Sequence, residues 1–317
     1  MVGVIVLEAF PDVDSWRIML GFGVVPALTI IWLRRATPES PRWLAQNGRE
    51  EEAAEVTEAL VGHPVVVTEA DRRRAVAPPE GLKALIQPRL FQRGMIRRTA
   101  FTAVPWFLMD IATYGVGIFT PTLLAAIALS GSPDATFLSD DISSTEGTAI
   151  LDVFLLIGFA IAILLVDRVG RVRLQLTGFA VMAAALSILG LAEGLPGGGD
   201  DHLALVLIGF ALFNTFMNAG PNATTYALPA EVFPSEIRAA GHGFAAAMAK
   251  FGAAIGVFLF PILMDDIGTS ALLFCIAGGC LIAFLVTWAL RIEPRGRDLN
   301  EVSGHEFGGV APRPVPP

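Results

Sequence analysis

Residues 99–127 read TAFTAVPWFLMDIATYGVGIFTPTLLAAI, and this stretch decides the fold class of the chain. It is longer than the roughly 20 apolar residues that a helix needs to cross a membrane. Its apolar residues are continuous rather than alternating, which favours a helix over a strand of a membrane barrel. Asp110 is the one charged residue within it. The stretch therefore predicts a transmembrane helix with a carboxylate at membrane depth.

Further apolar runs repeat this pattern along the chain. Hydrophobic residues make up 54% of the 317 residues and charged residues 16%, whereas a soluble domain carries about 25% charged residues. An all-α integral membrane protein is the fold class that these runs predict. The predicted spans are 16–33, 99–127, 148–166, 174–192, 203–228, 240–264 and 270–290.

Basic residues are concentrated in one set of loops. Most Lys and Arg residues lie in 34–98, 168–173, at 238 and from 291 onward. The loops 128–147, 193–202 and 265–269 contain aspartates but no Lys or Arg. Because basic loops stay on the cytoplasmic side, we predict a multi-pass plasma-membrane protein whose central linker and C-terminus are cytoplasmic.

Composition also divides the chain into segments. The apolar start is predicted to be the end of a preceding bundle, the polar stretch after it a cytoplasmic linker, and the proline-rich tail a disordered cytoplasmic segment. The predicted segments are 1–37 with its last helix at 16–33, the linker 38–96, a six-helix bundle at 97–291 and the tail 292–317.

Trp106, Asp110 and Tyr114 are spaced i, i+4 and i+8, which places them on one face of a helix. A charge at membrane depth costs about 2.5–3.5 kcal/mol, so it usually marks a binding site or a pathway. We interpret Asp110 as a proton-titrating residue of a substrate site, with Trp106 and Tyr114 as donors to an oxyanion. The alternative is a structural carboxyl group beside two packing aromatics.

Two further polar residues lie inside predicted spans. Lys250 needs a partner at that depth, either Asp110 or a bound anion, unless it extends its ammonium group to the membrane surface. Asn222 follows Gly220 and Pro221, and a helix broken at a proline commonly lines a substrate cavity. Weaker candidates, which interhelical hydrogen bonds would also explain, are Asn214, Asn218, Thr224 and Thr225.

Four motifs resemble those of the major facilitator superfamily. PESPRWL at 38–44 and DRVGR at 167–171 resemble signatures of its sugar-porter-like members. GPNATTYALPAEVFPSEIRAAGHG at 220–243 and the stretch 106–114 resemble helices ten to eleven and helix seven of its phosphate:proton symporters. The paired glutamines with which the helix-seven motif of true sugar porters usually starts are absent.

This resemblance covers about residues 16–290 and implies a specific fold. It implies the C-terminal six-helix bundle of that superfamily plus one preceding helix, about seven of twelve helices. It also implies that Asp110 is the proton-coupling residue and that Lys250 stands where similar members carry a lysine. The residues of a predicted cytoplasmic gate are Glu39, Arg42, Asp167, Arg168, Gly170, Arg171, Glu231 and Arg238. For the DRVGR motif the alternative is a basic loop that sets orientation. Glu231 and Arg238 are interpreted as an ion pair that stabilises the gate, and the alternative for them is a substrate role.

Three functions follow as hypotheses. The first is secondary transport, with protons, of inorganic phosphate. The second is transport of a sugar or small organic acid, because Thr113 stands where the phosphate family often has an aromatic residue. The third is a truncated or split half that is inactive alone and pairs with a separate N-terminal half, because residues from helices one to five are missing. The expected partners are the substrate, protons and the lipid bilayer, and not nucleic acid.

An enzyme is the least favoured class. The sequence contains no catalytic triad, no glycine-rich phosphate loop and no zinc motif, so we expect neither a cofactor nor a metal. The four histidines show no metal-ligand spacing, and the Gly-His-Gly sequence predicts that His242 lies in a turn.

Overall fold

The chain divides between Ala84 and Leu85 into two compact units. Every regular element among the described residues is helical. The computed structural model describes residues 2–10, 14–35, 37–46, 48–62, 88–118, 120, 137–234, 237–297 and 302.

The first unit consists of short helices. Its predicted span forms as two consecutive helices, α2 and α3, that meet at Gly23, where the backbone stays helical (φ −59°, ψ −20°). No residue of α3 is buried, although its sequence is apolar on all sides. The helices of this unit are α1 (Val2–Ala9), α2 (Ser15–Phe22), α3 (Val24–Arg34), α4 (Pro41–Gln46) and α5 (Glu50–Val61).

The PESPRWL motif starts helix α4. The hydroxyl group of Ser40 accepts the backbone N–H of Trp43 at 3.2 Å, which is the bond that an N-cap serine makes. Pro41 occupies the first helical position, where its missing N–H costs nothing. The motif therefore fixes where the chain turns into a new helix after the membrane span.

The second unit is a helical bundle. Among its described residues, the first regular element is a short 3₁₀ turn (Pro88–Phe91), and α9 is a minor helix. Helix α7 begins inside 128–147, which the sequence predicted to be a loop. The helices are α6 (Ile96–Ile118), α7 (Phe137–Val169), α8 (Arg171–Gly194), α9 (Gly198–Asp201), α10 (Leu203–Ala219), α11 (Pro221–Val232), α12 (Arg238–Ile267) and α13 (Thr269–Leu290).

Six stretches of the described residues are long and apolar enough to cross a membrane. One lies in the first unit and five in the bundle. Helix α6 is not among them, because Asp110 and several threonines reduce its hydropathy over the described length. The six are Ser15–Arg34, Ile150–Val169, Arg171–Gly194, Leu203–Val232, Arg238–Ile267 and Thr269–Leu290.

Helix α6, which carries the polar face, packs mainly against α12 and α13, while α8 packs against α10 and α13. Glycines bring α6 and α12 into backbone contact. A Cβ atom on Gly256 would lie only 2.8 Å from the carbonyl oxygen of Ile111, and one on Gly115 only 3.0 Å from the ring of Phe260. Small residues permit this close approach between membrane helices. The side chains of α6 and α12 therefore meet at short range.

The predicted span 203–228 is broken in the structure. Helix α10 ends at Gly220, whose backbone leaves the helical region (φ −121°, ψ −98°), and α11 begins at Pro221. A side chain on Gly220 would collide with the carbonyl oxygen of Leu174 in α8. Glycine is therefore required where the break crosses α8, and proline at the next position starts the new helix.

A fully buried glutamine joins three helices of the bundle. Gln175 in α8 donates to the hydroxyl group of Thr287 in α13 at 2.8 Å and accepts from Thr224 in α11 at 3.0 Å. The interhelical alternative for Thr224 is thereby confirmed. Apolar residues instead cover the outer surface of α7, where Ile163 and Leu164 are exposed, as lipid-facing residues are.

Candidate functional site

A charged cluster forms where α6 faces α12. The ammonium group of Lys250 lies 3.1 Å from a carboxylate oxygen of Asp110 and 2.9 Å from the hydroxyl oxygen of Tyr114. It also lies 4.6 Å from the centre of the Tyr114 ring. The Asp110 side chain is 4% exposed, whereas that of Lys250 is 63% exposed. The cluster is therefore a buried carboxylate covered by a cation that remains open to a ligand.

An aromatic group lies beside this cluster. The buried indole of Trp106 lies 5.1 Å from the ring of Tyr226 and 5.7 Å from that of His242, centre to centre. Tyr226 and His242 are 5.4 Å apart. His242 lies in helix α12 rather than in the turn that its flanking glycines predicted, because the helix begins before them, at Arg238. Trp106 also interacts with the carboxyl group of Asp110, so the aromatic group and the charged cluster are continuous.

Asn222 is placed differently from the other predicted site residues. Its side-chain amide donates to the side-chain oxygen of Asn218 at 2.7 Å. Asn218 is buried and donates in turn to the backbone carbonyl of Asn214 at 2.8 Å. Among the described residues, the hydrogen bonds of Asp110 do not include one with Asn222. Tyr226 lies one turn further along the same helix, α11.

Sequence reasoning missed Tyr226 and His242 as site residues. A spacing signal was available for both. Tyr226 lies four residues after Asn222, and His242 lies eight residues before Lys250, so each shares a helix face with a predicted site residue. The i, i+4, i+8 pattern that identified the face of α6 would have found both.

The DRVGR motif forms a second cluster at the start of α8. One guanidinium nitrogen of Arg171 lies 2.8 Å from the carboxylate of Asp167, and another lies 3.0 Å from that of Glu231. The first nitrogen also donates to the carbonyl oxygen of Val166 at 3.2 Å. Arg171 thus ties the end of α7 to α11. Sequence reasoning paired Glu231 with Arg238, whereas its partner here is Arg171.

Gly170 and Glu293 complete this second cluster. Gly170 has φ +99°, which glycine adopts without strain. The two carboxylate oxygens of Glu293 accept the backbone N–H groups of Arg171 at 3.1 Å and Val172 at 3.0 Å, so they satisfy the N-terminus of α8. Glu293 belongs to the segment 292–317 that is predicted as a disordered tail, and it contacts the start of α8. The sequence offered no signal for this contact across 122 residues.

The remaining predicted gate residues are Glu39, Arg42, Arg168 and Arg238. Arg168 is exposed, and Arg238 donates from Nε to the carbonyl of Phe233 at 3.1 Å. Glu39 is exposed in the first unit, and the side chain of Arg42 lies outside the described residues.

This arrangement brings several hydrogen-bond donors together. An ammonium group, a phenol and an indole face the carboxyl group of Asp110. Within the described residues, no group of three or more His, Cys, Asp or Glu side chains could hold a metal ion.

The chain also matches known proteins in sequence. Residues 1–304 match the model of a family described as sugar (and other) transporter. The chain is 33% identical to a probable inorganic phosphate transporter 1-12 of Oryza sativa subsp. japonica, over 93% of this chain and 57% of that protein. It is 31% identical to the inner membrane metabolite transport protein YgcS of Escherichia coli (strain K12), over 94% of this chain and 60% of that protein.

A solved structure shows the same fold. The proton:xylose symporter XylE, a major facilitator superfamily protein bound to 6-bromo-6-deoxy-D-glucose, superposes with a TM-score of 0.74 at 22% identity, over 95% of this chain and 62% of that one. The chain therefore spans about three fifths of the length of these proteins. Its fold is that of this major facilitator superfamily structure, and on its sequence match the chain belongs to the sugar (and other) transporter family.

Proposed function

We propose that the protein takes part in secondary transport of inorganic phosphate together with protons. The observation that carries this proposal is the position of Lys250 between Asp110 and Tyr114. A cation at membrane depth is costly unless it serves a partner or a ligand. The similarity to probable inorganic phosphate transporters supports an anionic substrate.

The coupling follows from competition for one cation. An ionised Asp110 neutralises Lys250 at 3.1 Å and repels an approaching anion. Protonation of Asp110 removes that negative charge, so Lys250 becomes available to an oxyanion, with Tyr114 and Trp106 as further donors. Phosphate therefore binds with a proton and leaves when the proton leaves. Since Lys250 is 63% exposed, it can change partners without disrupting the core.

Uptake into proteoliposomes tests this coupling. The chain is reconstituted together with any five-helix segment encoded upstream of Met1, and labelled phosphate uptake is followed with and without an imposed pH gradient. Asp110→Asn should abolish the response to the gradient, because an amide cannot exchange the proton. Asp265→Asn, which removes an exposed carboxylate from the same helix as Lys250, is the matched control and should behave as wild type. A gradient-driven uptake that survives in Asp110→Asn refutes the assigned role.

A neutral sugar is the second candidate, and the aromatic group favours it. Trp106 packs against Tyr226 and His242, and Tyr226, which is 64% exposed, offers an amphipathic surface against which a sugar ring packs. Thr113, the residue that first suggested another cargo, lies with its hydroxyl 2.9 Å and 3.0 Å from the sulfurs of Met109 and Met217, so it serves packing. Lys250→Gln separates the two candidates. It should weaken the uptake of labelled phosphate, because the phosphate proposal depends on the ammonium group. It should leave the competition of unlabelled xylose with the remaining uptake unchanged, because a neutral sugar does not need that charge.

The proposal extends to the surroundings of the protein. The basic loops support a plasma-membrane location with the linker and the C-terminus in the cytoplasm. Because the chain spans about three fifths of its relatives, a transporting unit that includes a separate N-terminal half is part of the proposal. Co-purification of the chain with the product of a neighbouring reading frame tests this point.

A further inference from the structure

A cavity with several arginines lies at the end of the bundle where α6 begins and α13 ends. None of the residues proposed above to bind the transported substrate lines it. Its volume is about 480 Å³, within the roughly 300–1,000 Å³ typical of small-molecule sites. Four guanidinium side chains line it, two from the start of α6 and two from the segment after α13. They belong to Arg97, Arg98, Arg291 and Arg297.

The charge of this cavity is not balanced by its own lining. Glu293 is the acidic lining residue, and its two carboxylate oxygens accept backbone N–H groups of α8. Within the described residues, no carboxylate lies within 4 Å of any of the four guanidinium groups. Like charges held together without counter-charges repel each other, so the cavity favours an anion.

Two of the arginines are held in place by backbone carbonyls. Arg97 donates to the carbonyl of Arg291 at 3.1 Å, and Arg98 donates to the carbonyls of Val232 and Val302, the latter at 2.7 Å. A guanidinium group has five N–H donors, so these bonds leave most of its donors available. The cavity is therefore preorganised, which lowers the cost of binding a ligand.

The surroundings of the cavity place it at the membrane surface. Trp288, in the last turn of α13, is exposed, and the guanidinium group of Arg291 lies 5.7 Å from its ring centre. Exposed tryptophans and arginines at helix ends mark the level of the lipid headgroups. Basic pockets between membrane helices are suited to phosphate-bearing headgroups.

We propose that this cavity binds a phosphate group, carried either by an anionic phospholipid or by a soluble phosphate compound. Arginine is the residue suited to it, since its planar fork donates two parallel hydrogen bonds to phosphate oxygens. The site is separate in residues from the Asp110–Lys250 cluster and goes beyond the proposed transport function.

Binding to the purified chain in detergent tests the proposal, with thermal unfolding as the readout. One arm adds dioleoyl phosphatidylglycerol and compares it with dioleoyl phosphatidylcholine. The other adds pyrophosphate at constant ionic strength, on a Lys250→Gln background so that the proposed transport site does not contribute. The test variant is Arg97→Gln with Arg297→Gln. The control is Arg93→Gln with Arg295→Gln, which removes the same charge from exposed positions that do not line the cavity.

The expected result is that at least one probe raises the unfolding temperature and that the test variant weakens its apparent affinity by about 10-fold or more. The control should change the affinity less than about twofold. A response to the phospholipid alone identifies a headgroup, and a response to pyrophosphate alone identifies a soluble ligand. No response to either probe, or equal losses in the test and control variants, overturns the proposal. If the test variant does not fold, the single Arg297→Gln, at an exposed side chain, takes its place.

Discussion

One methyl group added at Gly256 should force helices α6 and α12 apart. A Cβ atom at this position would lie 2.8 Å from the carbonyl oxygen of Ile111 and 3.2 Å from its Cα atom, whereas ordinary contact begins near 3.4 Å. Both obstructing atoms belong to the backbone, so no side chain can rotate away. The helices must therefore separate by about 0.6 Å at this crossing.

The change in the free energy of unfolding on Gly256→Ala follows from two opposing effects. Overpacking of a tight contact costs about 1–3 kcal/mol, while alanine stabilises a helix interior by up to about 1 kcal/mol relative to glycine. Gly278 in α13 is the matched control, because no atom lies within 4 Å of a Cβ atom built there. Gly278→Ala should gain the helical preference without the overpacking cost. Gly256→Ala should therefore be less stable than Gly278→Ala by about 1–3 kcal/mol.

Reversible unfolding in mixed micelles by a denaturing detergent measures this difference directly. Gly256→Ala should also weaken phosphate uptake, because Lys250 lies on the same helix less than two turns away and its distance to Asp110 depends on the crossing. Equal free energies of unfolding for the two alanine variants would refute the backbone-contact argument. Unchanged uptake would show that the Asp110–Lys250 distance is set by other contacts.

Three further predictions concern polar contacts away from the cluster. Glu231→Gln should cost about 1–3 kcal/mol in the same unfolding assay and Asp167→Asn only about 0–1 kcal/mol. Both carboxylates bind Arg171, but Glu231 is 22% exposed and Asp167 is 80% exposed. Gln175→Leu should cost about 1–2 kcal/mol, since it removes two buried interhelical hydrogen bonds. The hydrogen bond from Arg49 lowers the pKa of Glu52 below its ordinary 4.5. The pair therefore contributes to stability above pH 4.5, and this contribution is lost as the pH falls through the pKa that Glu52 has in the folded protein. Arg49→Gln should return the pKa of Glu52 toward 4.5 in a carboxyl NMR titration.

Much of the fold could be predicted from local sequence. Continuous apolar runs identify membrane helices, because a helix satisfies its own backbone hydrogen bonds in lipid, where no water can do so. Glycine and proline mark the break at Gly220 and Pro221, and Ser40 with Pro41 marks the start of α4. The sequence did not predict that Gly220 must be glycine, because the collision with Leu174 that requires it comes from another helix.

The charged part of the site was predicted, whereas Tyr226 and His242, in the aromatic part, were missed although their spacing along α11 and α12 offered a signal. The sequence predicts that Asp110 and Lys250 belong to a site, because each charge is costly in an apolar span and needs a partner. Tyr226 and His242 carry no such cost, and an aromatic residue in a membrane helix is unremarkable. Only the packing of α6 against α11 and α12 shows that both rings contact Trp106.

The bond between Glu293 and the start of α8 has a consequence for biosynthesis. Glu293 is synthesised 122 residues after Arg171, whose N–H group it accepts. At roughly 5–20 residues per second, the ribosome needs about 6–24 s to cover that distance. Until Glu293 is made, the first amides of α8 lack their final acceptor. The segment that caps α8 is therefore synthesised only after α13, and a nascent chain that ends before Glu293 should remain open to protease at Gly170, between α7 and α8.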